Sequence, residues 1–200
     1  MIGLLAVALT AAFAGVAALV ELEVAMGESR FLLGLHDLVG DAARDLVVGI
    51  DGVTDVWPLV AVGAVAALGL VLAGRVRAAL IFVASVAPVW ALNPALKELF
   101  QRPRPELWPS AVPASEFGFP SGHAANTAAL VAALVLALPA GRWRLAGAVL
   151  GGAGMVVVAF SQLALGVHYP SDILAGWLWA GAWVSGIRAV SHPRRPTTSE

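Results

Sequence analysis

Six apolar stretches dominate the chain, at about Ile2 to Val20, Trp57 to Gly74, Ala78 to Leu96, Gly122 to Ala140, Leu145 to Gly166 and Pro170 to Ile187. A helix rises 1.5 Å per residue, so about 20 apolar residues cross a hydrocarbon core of roughly 30 Å. Each stretch is close to that length. The composition agrees, because 60% of the 200 residues are hydrophobic and 12% charged, while soluble domains carry about 25% charge. No repeat or linker divides the chain. The expected architecture is all-α, a polytopic membrane protein: a six-transmembrane-helix bundle forming one domain over residues 1–200. The first stretch lacks a charged leader and a cleavage site, so it reads as a retained span and not a signal peptide.

Charge orients the bundle. Arg75 and Arg77 follow the second span, Arg142 and Arg144 the fourth, and Arg188, Arg194 and Arg195 the sixth. Arginine in short loops stays in the cytoplasm, which places both termini there. The loops after spans three and five, with the acidic segment 21–56, then face the periplasm or exterior of the inner membrane. All but Lys97 of the 12 basic residues are arginine, a bias suggesting a GC-rich bacterial genome. Without cysteine, disulfides, thiolate nucleophiles and thiolate metal sites are excluded. The net charge of -1 identifies no partner by itself. The lipid bilayer is the partner the composition implies, and no nucleic acid is expected.

Between spans one and two, SRFLLGLHDLVGDAARDLVVGID sets Arg30, Asp37, Asp41, Arg44 and Asp45 at helical spacing against Leu, Val and Phe. The pattern predicts an outward-facing amphipathic helix on the membrane surface. His36, Asp37 and Asp41 are metal-ligand types, but a solvated acidic face explains their spacing, and no metal site is expected. Trp57, Trp108 and Trp143 fall near span ends, where indole anchors at the headgroups. Gly147 and Gly151 permit a close helix contact of the ordinary packing kind.

Polar residues at the edge of spans are costly, so their clustering carries information. KELFQRPRP brings Lys97, Arg102 and Arg104 to the outer end of span three, with Glu98 as the nearby acid. Lipid snorkelling explains such cations on the inner side; on the outer side they call for an anion. In FPSGHAAN, Ser121 is placed to cap the helix that follows, and Gly122 and His123 open it. Free backbone N–H groups at a helix start favour an anion. In FSQLALGVHYPSDILAGW, Pro170 suits the first turn of span six, so His168 precedes the helix and Asp172 lies in its first turn. Asp172 can reach back as the acid of a capping box does, to the helix start or to His168 Nδ1, leaving Nε2 as a nucleophile.

These residues read Lys97-x6-Arg104-Pro105, Pro120-Ser121-Gly122-His123 and Ser161-Gln162-x5-His168-x3-Asp172. In order and spacing the chain resembles the type 2 phosphatidic acid phosphatase (PAP2) superfamily of integral membrane lipid phosphatases, from span two onward. The resemblance implies a metal-independent, cofactor-free hydrolysis of a membrane lipid phosphate or diphosphate. Candidate substrates are a polyprenyl diphosphate, phosphatidylglycerol phosphate and phosphatidate. It implies that His168 attacks phosphorus to form a phosphohistidine, that Asp172 orients it, and that His123 protonates the leaving alkoxide and then activates water. Lys97, Arg104, Ser121 and the Gly122 amide would hold the phosphoryl oxygens, with Ser161 in the same pocket.

One position departs from the family. Gln162 stands where the motif has arginine, and a neutral amide replaces a charged fork of donors. Losing one preorganised donor costs about 3 to 4 kcal/mol of transition-state stabilisation, so weakened phosphate capture is expected, and arginine at 162 should raise the rate. Arg102 belongs to the common R-P-R-P run and is not read as a replacement. Two other functions remain open on the residues: a lipid-phosphate binding or transport protein without turnover, and vanadate-dependent haloperoxidase chemistry, which shares the signature.

Overall fold

A computed structural model describes residues 2–21, 27–40 and 43–191. Among these the chain is all-helical: α1 (Ile2–Glu21), α2 (Glu28–Val39), α3 (Arg44–Val53), α4 (Val56–Leu72), α5 (Val76–Phe100), α6 (Gly122–Ala137), α7 (Arg142–Ala164) and α8 (Pro170–Ser191). An isolated bridge from Pro103 to Phe117 folds the α5–α6 loop back on itself.

α6 lies at the centre, against α4, α5, α7 and α8, and α8 also packs on α1. Small side chains make this possible. The buried face of α6 is largely alanine, including Ala124, Ala125, Ala128, Ala129 and Ala133, and small residues let backbones approach closely. On α8, a Cβ at Gly176 would fall 2.7 Å from the Ser121 carbonyl oxygen. Glycine there draws the start of α8 against the start of α6. Gly147 and Gly151 of α7 serve the same end, since a Cβ would lie 2.6 Å from Leu138 and 2.4 Å from Val131.

α5 contains Pro88, which has no N–H and so frees the carbonyl four residues earlier. Trp183 Nε1 of α8 donates to that carbonyl, Ala84 O, at 2.9 Å. A helix-breaking residue thus becomes an interhelical tie. Large apolar side chains such as Leu4, Leu68, Leu72 and Leu150 stay exposed on the outer faces, the arrangement that suits lipid tails.

The described helices qualify α1, α5, α7 and α8 as long and apolar enough to cross a membrane, and α3 with α4, bent by 47°, as one broken span or re-entrant loop. The sequence led to an expectation of six spans; by length and composition the helices give four, or five with the bent pair. α4 and α6 are shorter, at 17 and 16 residues. The chain turns at Gly74, φ 73, and Pro139 forces Leu138 into an extended conformation, φ -69 and ψ 151.

The segment expected to form one amphipathic helix forms two, with Gly40 at φ 57 closing α2. Asp41 lies outside the described residues, as do Arg194 and Arg195. His36 stacks on Trp108 with ring centroids 4.2 Å apart, and Trp108 in turn covers Gly166. A Cβ at Gly166 would meet the indole at 2.4 Å, and its φ of 68 also favours glycine. Trp57 and Trp143 are exposed. At the opposite end of the bundle, Arg75, Arg77, Arg144 and Arg188 line a cavity of about 450 Å³.

Candidate active site

Lys97, Arg104, Gly122, His123, Gln162 and His168 line one cavity of about 390 Å³. Four elements converge there: the end of α5, the loop after it, the start of α6, and the end of α7 with its following loop.

His168 and Asp172 come from the start of α8. Pro170 takes the first helical position, and Asp172 Oδ2 accepts the Tyr169 N–H at 2.8 Å, the reach-back contact of a capping box. The same oxygen faces His168 Nδ1 at 3.5 Å, a gap that a small rotation of either side chain closes. Both residues are fully enclosed, at 1% and 0% exposure. Arg104 Nη1 lies 3.3 Å from His168 Nε2. A guanidinium only donates, so Nε2 is the acceptor and the neutral ring carries its proton on Nδ1, toward Asp172. Burial, aided by the Arg104 and Lys97 charges, pushes His168 down to about 4 against the pull of Asp172. At neutral pH Nε2 therefore keeps its lone pair.

Lys97 and Arg104 are held ready by the loop between α5 and α6. Lys97 Nζ donates to Phe117 O at 2.9 Å and Ser115 Oγ at 3.0 Å. Arg104 donates to Ser115 O and Val167 O, each at 2.6 Å. Neither has a carboxylate partner within ion-pair distance among the described residues.

Arg102 turns the other way. Grouped in sequence with the cations that call for an anion, it finds protein carboxylates instead. Nη1 donates to Asp172 Oδ1 and to Ser171 Oγ at 2.7 Å, and Nη2 to Glu28 Oε2 at 2.9 Å. Burial opposes its charge, but the Asp172 and Glu28 carboxylates outweigh it and raise its pKa. Glu28 Oε1 also accepts the Ser171 N–H at 2.7 Å, which ties α2 to the start of α8.

Ser121 caps α6, its Oγ accepting from Ala124 N at 3.4 Å. The N–H groups of Gly122 and His123 belong to the first turn, where no helical carbonyl lies in reach. Ser121 and Ser161 do not line the cavity. Ser161 is buried and donates to Val158 O at 2.8 Å, so its hydroxyl serves its own helix.

Several residues at the cavity escaped the sequence reading. Asn93 lies one turn before Lys97 and Asn126 one turn after His123; both line the cavity, and helical spacing from the motif residues is the signal that would have found them. Asp51 and Asp55 enter from α3 and the turn after it, with no local signal. Asp51 Oδ1 accepts the Gln162 amide at 2.8 Å and lies 3.3 Å from His123 Nε2.

A family model described as PAP2 superfamily matches residues 78–196. Over 71 residues the chain is 37% identical to an undecaprenyl-diphosphatase of Sulfolobus acidocaldarius, covering 36% of this chain and 32% of that protein. Over 91 residues it is 37% identical to phosphatidylglycerophosphatase B of Bacillus subtilis, covering 43% and 44%. A lipid A 1-phosphatase of Rhizobium johnstonii is 38% identical over 76 residues, covering 38% and 28%. The chain therefore matches less than half the length of each of these relatives. Its fold is similar to the crystal structure of a transmembrane PAP2 type phosphatidylglycerolphosphate phosphatase from Bacillus subtilis, with a TM-score of 0.84 at 23% identity, over 96% of this chain and 98% of that one. With the family model matching more than half of the chain, most of α5 through the end of α8, the chain belongs to the PAP2 superfamily.

Proposed function

We propose that this chain is a metal-independent lipid phosphatase. The observation that carries the reading is the convergence of Lys97, Arg104 and the α6 N-terminus on a cavity flanked by His168 and His123. Two cations and a helix start supply positive potential for a phosphoryl group, and a neutral imidazole supplies the nucleophile.

In the first step His168 Nε2 attacks phosphorus while Asp172 accepts the Nδ1 hydrogen. The bond from phosphorus to the lipid oxygen breaks as His123 donates a proton to that oxygen. In the second step His123 takes a proton from water, whose oxygen attacks the phosphohistidine, and the phosphorus–nitrogen bond breaks to return neutral His168. Lys97, Arg104 and the Gly122 amide hold the phosphoryl oxygens throughout. Ser121 contributes its cap, and Ser161 needs a hydroxyl rotation away from Val158 to reach the phosphate.

The whole chain acts as one membrane domain with six spans, α4 and α6 being the two shorter ones, at 17 and 16 residues. Arg75, Arg77, Arg144 and Arg188 mark the cytoplasmic end, which puts the cavity on the periplasmic or outer face and both termini in the cytoplasm. Substrates are membrane lipid phosphates or diphosphates. The relatives' names, undecaprenyl-diphosphatase and phosphatidylglycerophosphatase, support a polyprenyl diphosphate and phosphatidylglycerol phosphate as the first to test.

Gln162 weakens phosphate capture, because its amide is already committed to Asp51. The same commitment favours a second reading, a lipid-phosphate binding protein with little or no turnover. One experiment separates them: phosphate release by purified protein, with chelator present, from farnesyl diphosphate, phosphatidylglycerol phosphate and phosphatidate. Release from any of them supports the hydrolase. Affinity without release, persisting in His168→Ala, supports the binding protein.

A further inference from the structure

A cavity built for a phosphoryl anion is a costly place for a carboxylate, since like charges repel. Asp51 nevertheless lines it, its side chain 16% exposed. It is not there by slack packing. Val47, on the same helix, is buried against Ala164, Leu165 and Val167 at the end of α7, which fixes α3 beside the site.

Two acceptors of Asp51 meet one nitrogen of His123. Oδ1 and the backbone carbonyl oxygen each lie 3.3 Å from Nε2. Neither oxygen donates a hydrogen, so Nε2 carries the proton in this contact. Gln162, at 1% exposure, donates to the same Oδ1 at 2.8 Å and sets the angle of the carboxylate. The pairing repeats, on the second histidine, the relation between Asp172 and His168.

We propose that Asp51 is a positioning residue for His123: held by Gln162, it binds Nε2–H and leaves Nδ1 as the nitrogen that passes the proton to the leaving oxygen and takes it back from water. The assignment rests on the hydrolase reading above. It gives Gln162 a use as well. A neutral amide orients Asp51 without cancelling the negative charge that favours protonated His123, whereas an arginine would compete for it.

The charged groups facing His123 are Asp51 of α3, Asp55 of the following turn and Lys97 of α5, while α7 presents neutral Gln162; His168 lines the same cavity. With Asp51 removed, protonated His123 loses its nearest anion. The test compares pH profiles of phosphate release for unaltered protein, Asp51→Asn and Asp51→Glu, on the three lipids named above. Asp51→Asn is expected to lower kcat by about a hundredfold, the lower end of the range for general acid–base catalysis, with KM not raised and the alkaline limb moved to lower pH. Asp51→Glu should restore the limb. A purely structural role would reduce the active fraction and leave the limb in place, and that result overturns the inference.

Nitrogen-15 resonances of labelled His123 give a readout that needs no turnover. They should report the Nε2-protonated tautomer in unaltered protein, and in Asp51→Asn, which keeps the backbone acceptor but loses the charge, protonation of the ring at lower pH; the opposite tautomer, or an unmoved titration, sinks the pairing. If no lipid is cleaved while the tautomer is as expected, the pair stands and the proton-transfer step falls with the hydrolase reading.

Discussion

Arg102 donates to Asp172 Oδ1 while Oδ2 faces His168, so the carboxylate beside the proposed nucleophile is itself held by a cation. Glu28 completes the clamp at 2.9 Å on the other guanidinium nitrogen.

Arg102→Ala leaves Asp172 charged and enclosed without its counter-ion. Breaking a buried pair from one side costs about 3 to 5 kcal/mol, so the thermal midpoint in detergent should drop and phosphate release should fall with it. Lysine is a poor substitute, because one ammonium cannot fork to Glu28, Ser171 and Asp172 together. An Arg102→Ala protein that melts and turns over like the unaltered one would contradict the clamp.

His168 is held down to about 4 by burial. A nucleophile must be unprotonated, so turnover should persist through mildly acidic buffer and fail only as the pH drops through about 4. The unfolded chain takes up this proton already near the ordinary histidine value of 6.5, hence the fold should lose stability between 6.5 and about 4 on acidification. His168→Ala should abolish turnover and the acid-labile, base-stable phosphohistidine expected on rapid alkaline quench with a phosphorus-32 substrate. An acid limb near 6.5 would show that the ring is far more solvated than its surroundings imply.

Gln162→Arg should raise kcat/KM by about tenfold to a hundredfold, less than the value of a whole oxyanion donor because Asp51 takes part of the fork. Arginine has five donors, enough for Asp51 and the cavity both. Steady-state kinetics on the most reactive lipid checks this. An unchanged constant would mean that the side chain at 162 never reaches the phosphate.

Gly176→Ala puts a methyl 2.7 Å from the Ser121 carbonyl oxygen. Such overpacking costs about 1 to 3 kcal/mol and pushes the starts of α6 and α8 apart, which carry His123 and Asp172. Activity should fall more than the thermal midpoint suggests. Gly154→Ala, with nothing within 4 Å of its Cβ, serves as the control.

What the sequence disclosed was local. Pro170, Asp172 and Ser121 act within one helical turn of their neighbours, so capping and its geometry followed from spacing. Lys97 and Arg104 likewise share a helix end and the loop beside it. The tertiary partners stayed hidden, since Glu28 and Arg102 lie 74 positions apart and Asp51 and Gln162 lie 111 apart. No periodicity couples such pairs. Arg102 therefore reads with the phosphate-seeking cations, and Asp51 is one unremarked acid within the segment 21–56. The ends of two apolar stretches were hidden for a related reason: hydropathy runs through Gly74 and across Pro139, while the helices stop short of both.

At the far end of the bundle, the arginines that face the cytoplasm in this reading are also fasteners. Arg75 donates to Ala137 O at 3.1 Å, Arg144 to Leu138 O at 2.7 Å and Arg77 to Ser191 O at 2.9 Å, each closing a helix end that lacks its own donors. If these charges set the orientation as proposed, insertion and folding draw on the same side chains at different times. Moving those charges to the opposite loops to invert the protein would also unbutton the ends of α6 and α8, so a change made to alter orientation would be felt by the fold.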